Sequence, residues 1–347
     1  MTAVSGRGPW PGTAGVLDAQ LTVLGDLAEL PTGVDAVPFL VQLAGRGPGA
    51  DPVGRTAATM SGPPVELGVH GWKIADHAGA DLRRARALLH EDLESLAVAG
   101  LGYTGPLAVS VLGPWTLAAE LYLARGDRVL SDRGAVRDLV AALADAVAEH
   151  VAEVRRRVGG ADVVVQLDEP LLAQVGAGVL PTFSGYSRLR AVAGPDLVEG
   201  LQTVLDAARA ADARSVVHVG SSRGAVEPVV GAGADAVGLD LGTWDEATWE
   251  TIARAVERGA RLWAGLPPAR VSQCAGPALG ELADLVSVGW RRVGLPAGRL
   301  DEVTVVGASS RGRRGPGGGV AGTPDAHRAL LANLGRVAAV LAERAHA

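Results

Sequence analysis

Short valine-rich apolar runs recur along the chain, and a longer amphipathic stretch separates each from the next. They are Asp35 to Leu43 (DAVPFLVQL), Leu107 to Gly113 (LAVSVLG), Asp162 to Pro170 (DVVVQLDEP), Ser215 to Gly220 (SVVHVG), Asp235 to Gly242 (DAVGLDLG), Arg261 to Pro267 (RLWAGLP) and Glu302 to Ser310 (EVTVVGASS). Apolar runs of this length suit strands covered on both faces, as in parallel sheets. The stretches between them carry the helical period. Asp132 to Val158 places arginines at its end, in the sense that the helix dipole favours. The segments DEATWETIARAVERG and LGELADLVSVGWRRVG close near Gly259 and Gly294, where a helix C-terminus favours glycine. DAHRALLANLGRVAAVLAERA supplies a last helix.

Repeated βα units with right-handed crossovers leave two architectures, a (β/α)8 barrel and a doubly wound sheet. No Gly-x-Gly-x-x-Gly stands at an early strand-to-helix junction, which counts against the dinucleotide-binding sheet. A first strand near AVSGRG brings the strand count to eight, so the expected fold is one (β/α)8 barrel over residues 1–347. With 48% hydrophobic residues the chain has ample material for such a core. A net charge of −6 provides no basic footprint for nucleic acid. Cys274 is the only cysteine, which rules out an intrachain disulfide and a zinc–thiolate cluster. No run approaches the ~18 apolar residues of a membrane span, and MTAVSGRGPWPGTAG lacks the apolar core of a signal peptide. A cytoplasmic protein with a small-molecule substrate, and neither nucleic acid nor membrane as partner, is the expectation.

Functional groups in such barrels sit at the C-terminal ends of the strands and in the loops just beyond. Those positions hold Trp10, Asp51 and Arg55, Trp115 and Thr116, Asp168 and Glu169, His218 with Ser221 and Ser222, Asp240, and Ser309 to Arg311. Asp168, His218 and Asp240 are polar endings of otherwise apolar runs, and their convergence on one mouth would make a site. Each has an ordinary alternative: a packed histidine for His218, a helix cap for Asp240. Two adjacent carboxylates at a buried strand end, Asp168 and Glu169, are costly unless paired or used. Asp51 and Arg55 read as a helix cap and a surface arginine, or as substrate contacts. Trp10 and Trp115 face a flat ligand or plug the mouth. Arg311, Arg313 and Arg314 clamp an anionic tail or belong to a solvated loop.

The motifs VVVQLDEPLL, GPWT, VVHVG, ADAVGLDLG and VTVVGASSRG, in this order and spacing, resemble the catalytic barrel of cobalamin-independent methionine synthase. GPWPGT and RGPGADPVGRTAA resemble the short actinobacterial members, so the likeness spans nearly the whole chain. It implies a barrel of the methionine synthase/uroporphyrinogen decarboxylase type and methyl transfer to homocysteine or another small thiol or amino acid. It implies zinc at His218 and Asp240, and Asp168 on a substrate amine. The same resemblance places Gly220 and Ala308 where the family has its two zinc cysteines, and Glu120 where a tryptophan stacks on the pterin. Zinc makes a thiol of pKa near ~8.5 a thiolate at neutral pH, and its sites use three or four protein ligands. His218 and Asp240 alone are a weak pair. Either Asp168, Glu169, Ser221 or Ser309 completes an oxygen-rich shell, or the metal is lost. Two readings follow: a methyltransferase in which His218, Asp168 and Glu169 are catalytic and Asp168, Trp10, Trp115, Asp51 and Ser221 bind substrate, or a repurposed relative that binds a small ligand without zinc.

Overall fold

The valine-rich runs become the staves of a barrel. In this computed structural model, residues 1–12, 15–274, 276, 278–308 and 322–346 are described. Their strands are β1 (Ala3–Ser5), β2 (Asp35–Val37), β3 (Val65–Gly68), β4 (Gly71–Ile74), β5 (Thr104–Leu112), β6 (Gly160–Asp168), β7 (Arg214–His218), β8 (Ala236–Asp240), β9 (Arg261–Leu266) and β10 (Thr304–Gly307). Eight of them form one parallel sheet in the order β2-β1-β10-β9-β8-β7-β6-β5. The sheet closes on itself where Phe39 bridges Ala108, with Leu40 N–H donating to Ala108 O at 2.9 Å and Ala108 N–H to Pro38 O at 2.8 Å. The fold is therefore the α/β barrel that the sequence predicts.

The nine-residue run at Asp35 to Leu43 is shorter as a strand than expected. Pro38 has no N–H to give the ladder, so regular pairing ends at Val37 and resumes as isolated bridges, Phe39 to Ala108 and Gln42 to Pro9. The longest strands, β5 and β6, pair over nine residues.

Helices cover the outside. The one expected from Asp132 spans Arg133–Arg157, and the Asp132 carboxylate caps it by accepting from Ala135 N–H at 2.9 Å. The helices Glu246–Glu257 and Ala278–Arg292 are followed by Gly259 and Gly294, both at positive φ (97° and 79°). The crossover from β2 to β5 is the longest: it holds the helix Pro52–Thr59, the antiparallel hairpin β3–β4, and the helix Ala80–Ala99. Among the described residues no helix is long and apolar enough to cross a membrane.

Candidate functional site

Parallel register sets Asp168 of β6 opposite His218 of β7, His218 opposite Gly238 of β8, and Asp240 of β8 opposite Gly265 of β9. Those glycines explain how the polar ends meet. A Cβ on Gly238 would lie 2.4 Å from the His218 ring, and one on Gly265 would lie 2.4 Å from the Asp240 carboxylate. Each side chain thus leans over a bare position on the next strand. His218 Nε2 comes to 3.5 Å from Asp240 Oδ1, with the histidine fully buried and the aspartate side chain 12% exposed.

The centre of the site is a residue that sequence reasoning passed over. Arg7, in the loop after β1, has a side chain only 8% exposed, and its Nη2 donates to Asp168 Oδ1 at 2.7 Å. Its Nη1 lies 3.8 Å from Asp240 Oδ1. One guanidinium therefore stands between the two carboxylates, where charge-assisted pairing is strongest out of water. The backbone of the same loop crosses the mouth: Arg7 O accepts from Ser110 Oγ at 3.0 Å, and Gln42 Nε2 reaches Ser110 O at 2.9 Å. Such an approach needs glycine beside Arg7. Gly8 has φ 98°, and a Cβ there would lie 2.6 Å from Ser110 Oγ. Gln166 completes the floor, donating to Asp168 Oδ1 at 3.1 Å, while its buried Oε1 meets no partner among the described residues.

His218 also has a defined tautomer. Gly220 N–H donates to Nδ1 at 3.3 Å, so Nδ1 carries a lone pair and the neutral ring holds its proton on Nε2, toward Asp240. A metal-bound histidine shows the opposite pattern: one nitrogen gives its lone pair to the ion and the other donates its N–H. The residues at the family's cysteine positions, Gly220 and Ala308, bring no ligand atom in their side chains. Among the described residues no three His, Cys, Asp or Glu side chains cluster to hold an ion. With a guanidinium already between Asp168 and Asp240, these residues do not fit a zinc site of the kind the resemblance implies.

Other expected site residues are engaged elsewhere. Glu169, expected as catalytic, caps a helix. Its carboxylate accepts from Trp115 N–H (2.8 Å), Thr116 N–H (2.9 Å) and Thr116 Oγ1 (2.7 Å) at the start of the helix Pro114–Glu120. Burial pushes it up to about 7, against the pull of those three donors. Trp115, expected to face a ligand, lies against Gly200, where a Cβ would sit 2.6 Å from its ring, and donates its indole N–H to Leu197 O at 3.0 Å. Asp51 caps the helix Pro52–Thr59 through Val53 and Gly54 N–H and accepts from Trp72 Nε1 at 2.8 Å. Arg55, read as a surface arginine, is buried and paired with Asp92. Trp10 is buried with its ring edge-on to His327, 5.5 Å between centroids. Ser221 is exposed in the turn after β7. Ser309, Arg311, Arg313 and Arg314 lie outside the described residues. The position of Arg7, just past the end of a barrel strand, was the signal that could have found it.

No family model and no curated protein matches the chain. Among solved structures it is similar in fold to a B12-independent methionine synthase from Shewanella sp. W3-18-1, in complex with selenomethionine. The TM-score is 0.59 at 12% identity, over 99% of this chain and 97% of that one. A beta-glucosidase in its apo form matches more loosely, with TM-score 0.40 and 15% identity over 76% and 80% of the two chains. At 12% identity the likeness to the methionine synthase establishes the fold alone.

Proposed function

We propose that this barrel is a repurposed relative of the methionine synthase catalytic barrel that binds a small polar ligand at its mouth without zinc. The observation that carries the reading is the Arg7 guanidinium between Asp168 and Asp240: the positive charge at the centre of the site belongs to the chain itself. The polar floor suits a ligand that donates hydrogen bonds. Asp168 and Asp240 accept, and Gln166 Oε1 is a buried acceptor that favours a donor. Turning the Gln166 amide over would set oxygen against the Asp168 carboxylate, so its orientation is fixed by charge. His218, with its Nε2 toward Asp240, adds an imidazole to the same polar end of the barrel.

The test is elemental mass spectrometry of dialysed, tag-free protein, paired with thermal-shift screening of small amines, amino acids and thiols against the wild type and Asp168→Asn. Near-zero zinc with a ligand whose stabilisation disappears in Asp168→Asn supports the proposal. One zinc per chain together with methylation of homocysteine would instead establish the second reading, methyl transfer. The motif order around QLDEP and VVHVG, and the meeting of Asp168, His218 and Asp240 at one mouth, favour that alternative.

A further inference from the structure

We infer that a cavity beside the β3–β4 hairpin is a second binding site, and that it takes a small organic monocarboxylate held by Arg128. Backbone pairing builds its frame. Tyr122 N–H donates to Trp72 O at 2.9 Å and Ile74 N–H to Tyr122 O at 2.8 Å, so the segment after the helix Pro114–Glu120 docks along β4. Tyr122 bridges Lys73 on one side and Arg128 on the other. Trp72, Tyr122 and Arg128 are thereby set around one cavity of about 190 Å³, which Leu112 and Val53 also line. None of Arg7, Asp168, His218 or Asp240 lines it, so the site is distinct from the mouth.

The chemistry lies in Arg128. Its Nη1 donates to Ala119 O, and its Cζ lies over the Tyr122 ring, 5.3 Å from the centroid. Those contacts use one nitrogen and one face. Nε is buried and meets no acceptor among the described residues, a costly state that bulk water does not relieve. A carboxylate answers it, because two oxygens match the edge of a guanidinium in parallel bonds. The rest of the ligand follows from the walls. Leu112, Val53, Trp72 and Tyr122 offer apolar and aromatic surface that an inorganic anion leaves unused. A cavity of about 150 Å³ suffices for benzene in another protein, so this one suits a body of about one ring. Asp51 and Glu120 line the same cavity and favour one negative charge over two. The Asp51 carboxylate is shared among the N–H groups of Val53 and Gly54 and the Trp72 indole, which tempers its repulsion.

The experiment titrates the full chain with benzoate, its neutral isostere benzamide, and inorganic phosphate, by calorimetry at neutral pH. The assigned indole N–H of Trp72 is followed by NMR in the same titrations. Benzoate is expected to bind one per chain and to shift the Trp72 signal. Benzamide is expected to bind about ten- to a hundredfold more weakly, the loss of a charge-assisted contact, and phosphate to give no heat. Arg128→Gln is expected to bring benzoate down to the level of benzamide, and Arg128→Lys, which keeps the charge without the fork, to fall between.

Absence of benzoate binding up to ~10 mM overturns the inference. So does equal affinity for benzamide or phosphate, or binding that leaves the Trp72 indole unmoved. A folded Arg128→Gln that holds benzoate as the wild type does overturns it as well. Should Arg128→Gln fail to fold, the comparison of benzoate with benzamide and the Trp72 signal, both read on the wild type, decide alone.

Discussion

His150 sits buried on the helix Arg133–Arg157, and burial, reinforced by the nearby Arg55 charge, pushes its imidazole down to about 4. An unfolded histidine titrates near ~6.5. The folded state therefore binds fewer protons between those values. The stability His150 allows is fully present above pH 6.5 and is lost as pH falls toward 4. From pH 7 to pH 5 this one group is expected to cost about 2 kcal/mol. Urea unfolding at the two pH values should show that loss in the wild type and much less of it in His150→Leu; equal losses would refute the assignment. Chemistry-bearing residues differed in how visible they were in the sequence. Asp168, His218 and Asp240 stood out because each ends an apolar run, where a polar side chain needs a reason. Arg7 did not, because an arginine between glycines after a three-residue strand reads as solvated loop, and only the fold reveals the two carboxylates it meets.

The helix Pro114–Glu120 shows how an element can depend on a residue far away in sequence. It is seven residues long and its preceding Gly113 has no capping side chain, so its first free N–H groups are satisfied by Glu169 from the end of β6. Close contact is possible because Gly113 is bare; a Cβ there would lie 2.4 Å from Glu169 Oε1. Glu169→Ala is expected to destabilise the protein by about 1–3 kcal/mol, the cost of leaving buried donors without an acceptor. Trp115→Ala, which empties a packed site against Gly200, should cost about 3–5 kcal/mol. Urea unfolding measures both. A Glu169→Ala protein of unchanged stability that no longer binds its ligand would return Glu169 to the chemistry. At this scale the sequence was readable wherever period and caps agreed, as in the helix that starts at Asp132. It was less so where a single residue overrode the pattern, as Pro38 did in β2. The hairpin β3–β4 was overlooked because its strands are four residues each and Gly68 to Gly71 hides the alternation in a turn.

For the whole molecule the question is what keeps a barrel shut whose closing seam is a single bridge, Phe39 to Ala108, beside a nine-residue β5–β6 ladder. The crossover spanning that seam holds one buried tie. Asp92, fully buried on the helix Ala80–Ala99, accepts from Arg46 Nη2 at 2.5 Å and pairs with Arg55 of the helix Pro52–Thr59. One carboxylate thus ties three parts of the crossover, and through Arg55 it lies next to His150 of the following helix. Removing one partner of a buried ion pair leaves the others uncompensated, so Asp92→Asn is expected to cost about 3–5 kcal/mol. Where that cost falls separates a lock on the seam from an ordinary core defect. If the crossover holds the seam, hydrogen exchange in Asp92→Asn accelerates first at Leu40 and Ala108, whose N–H groups make the seam bonds, while Val165 inside the β5–β6 ladder follows only global unfolding. Equal acceleration at all three amides would mean that the ion pair stabilises the barrel uniformly and that closure depends on the barrel core instead.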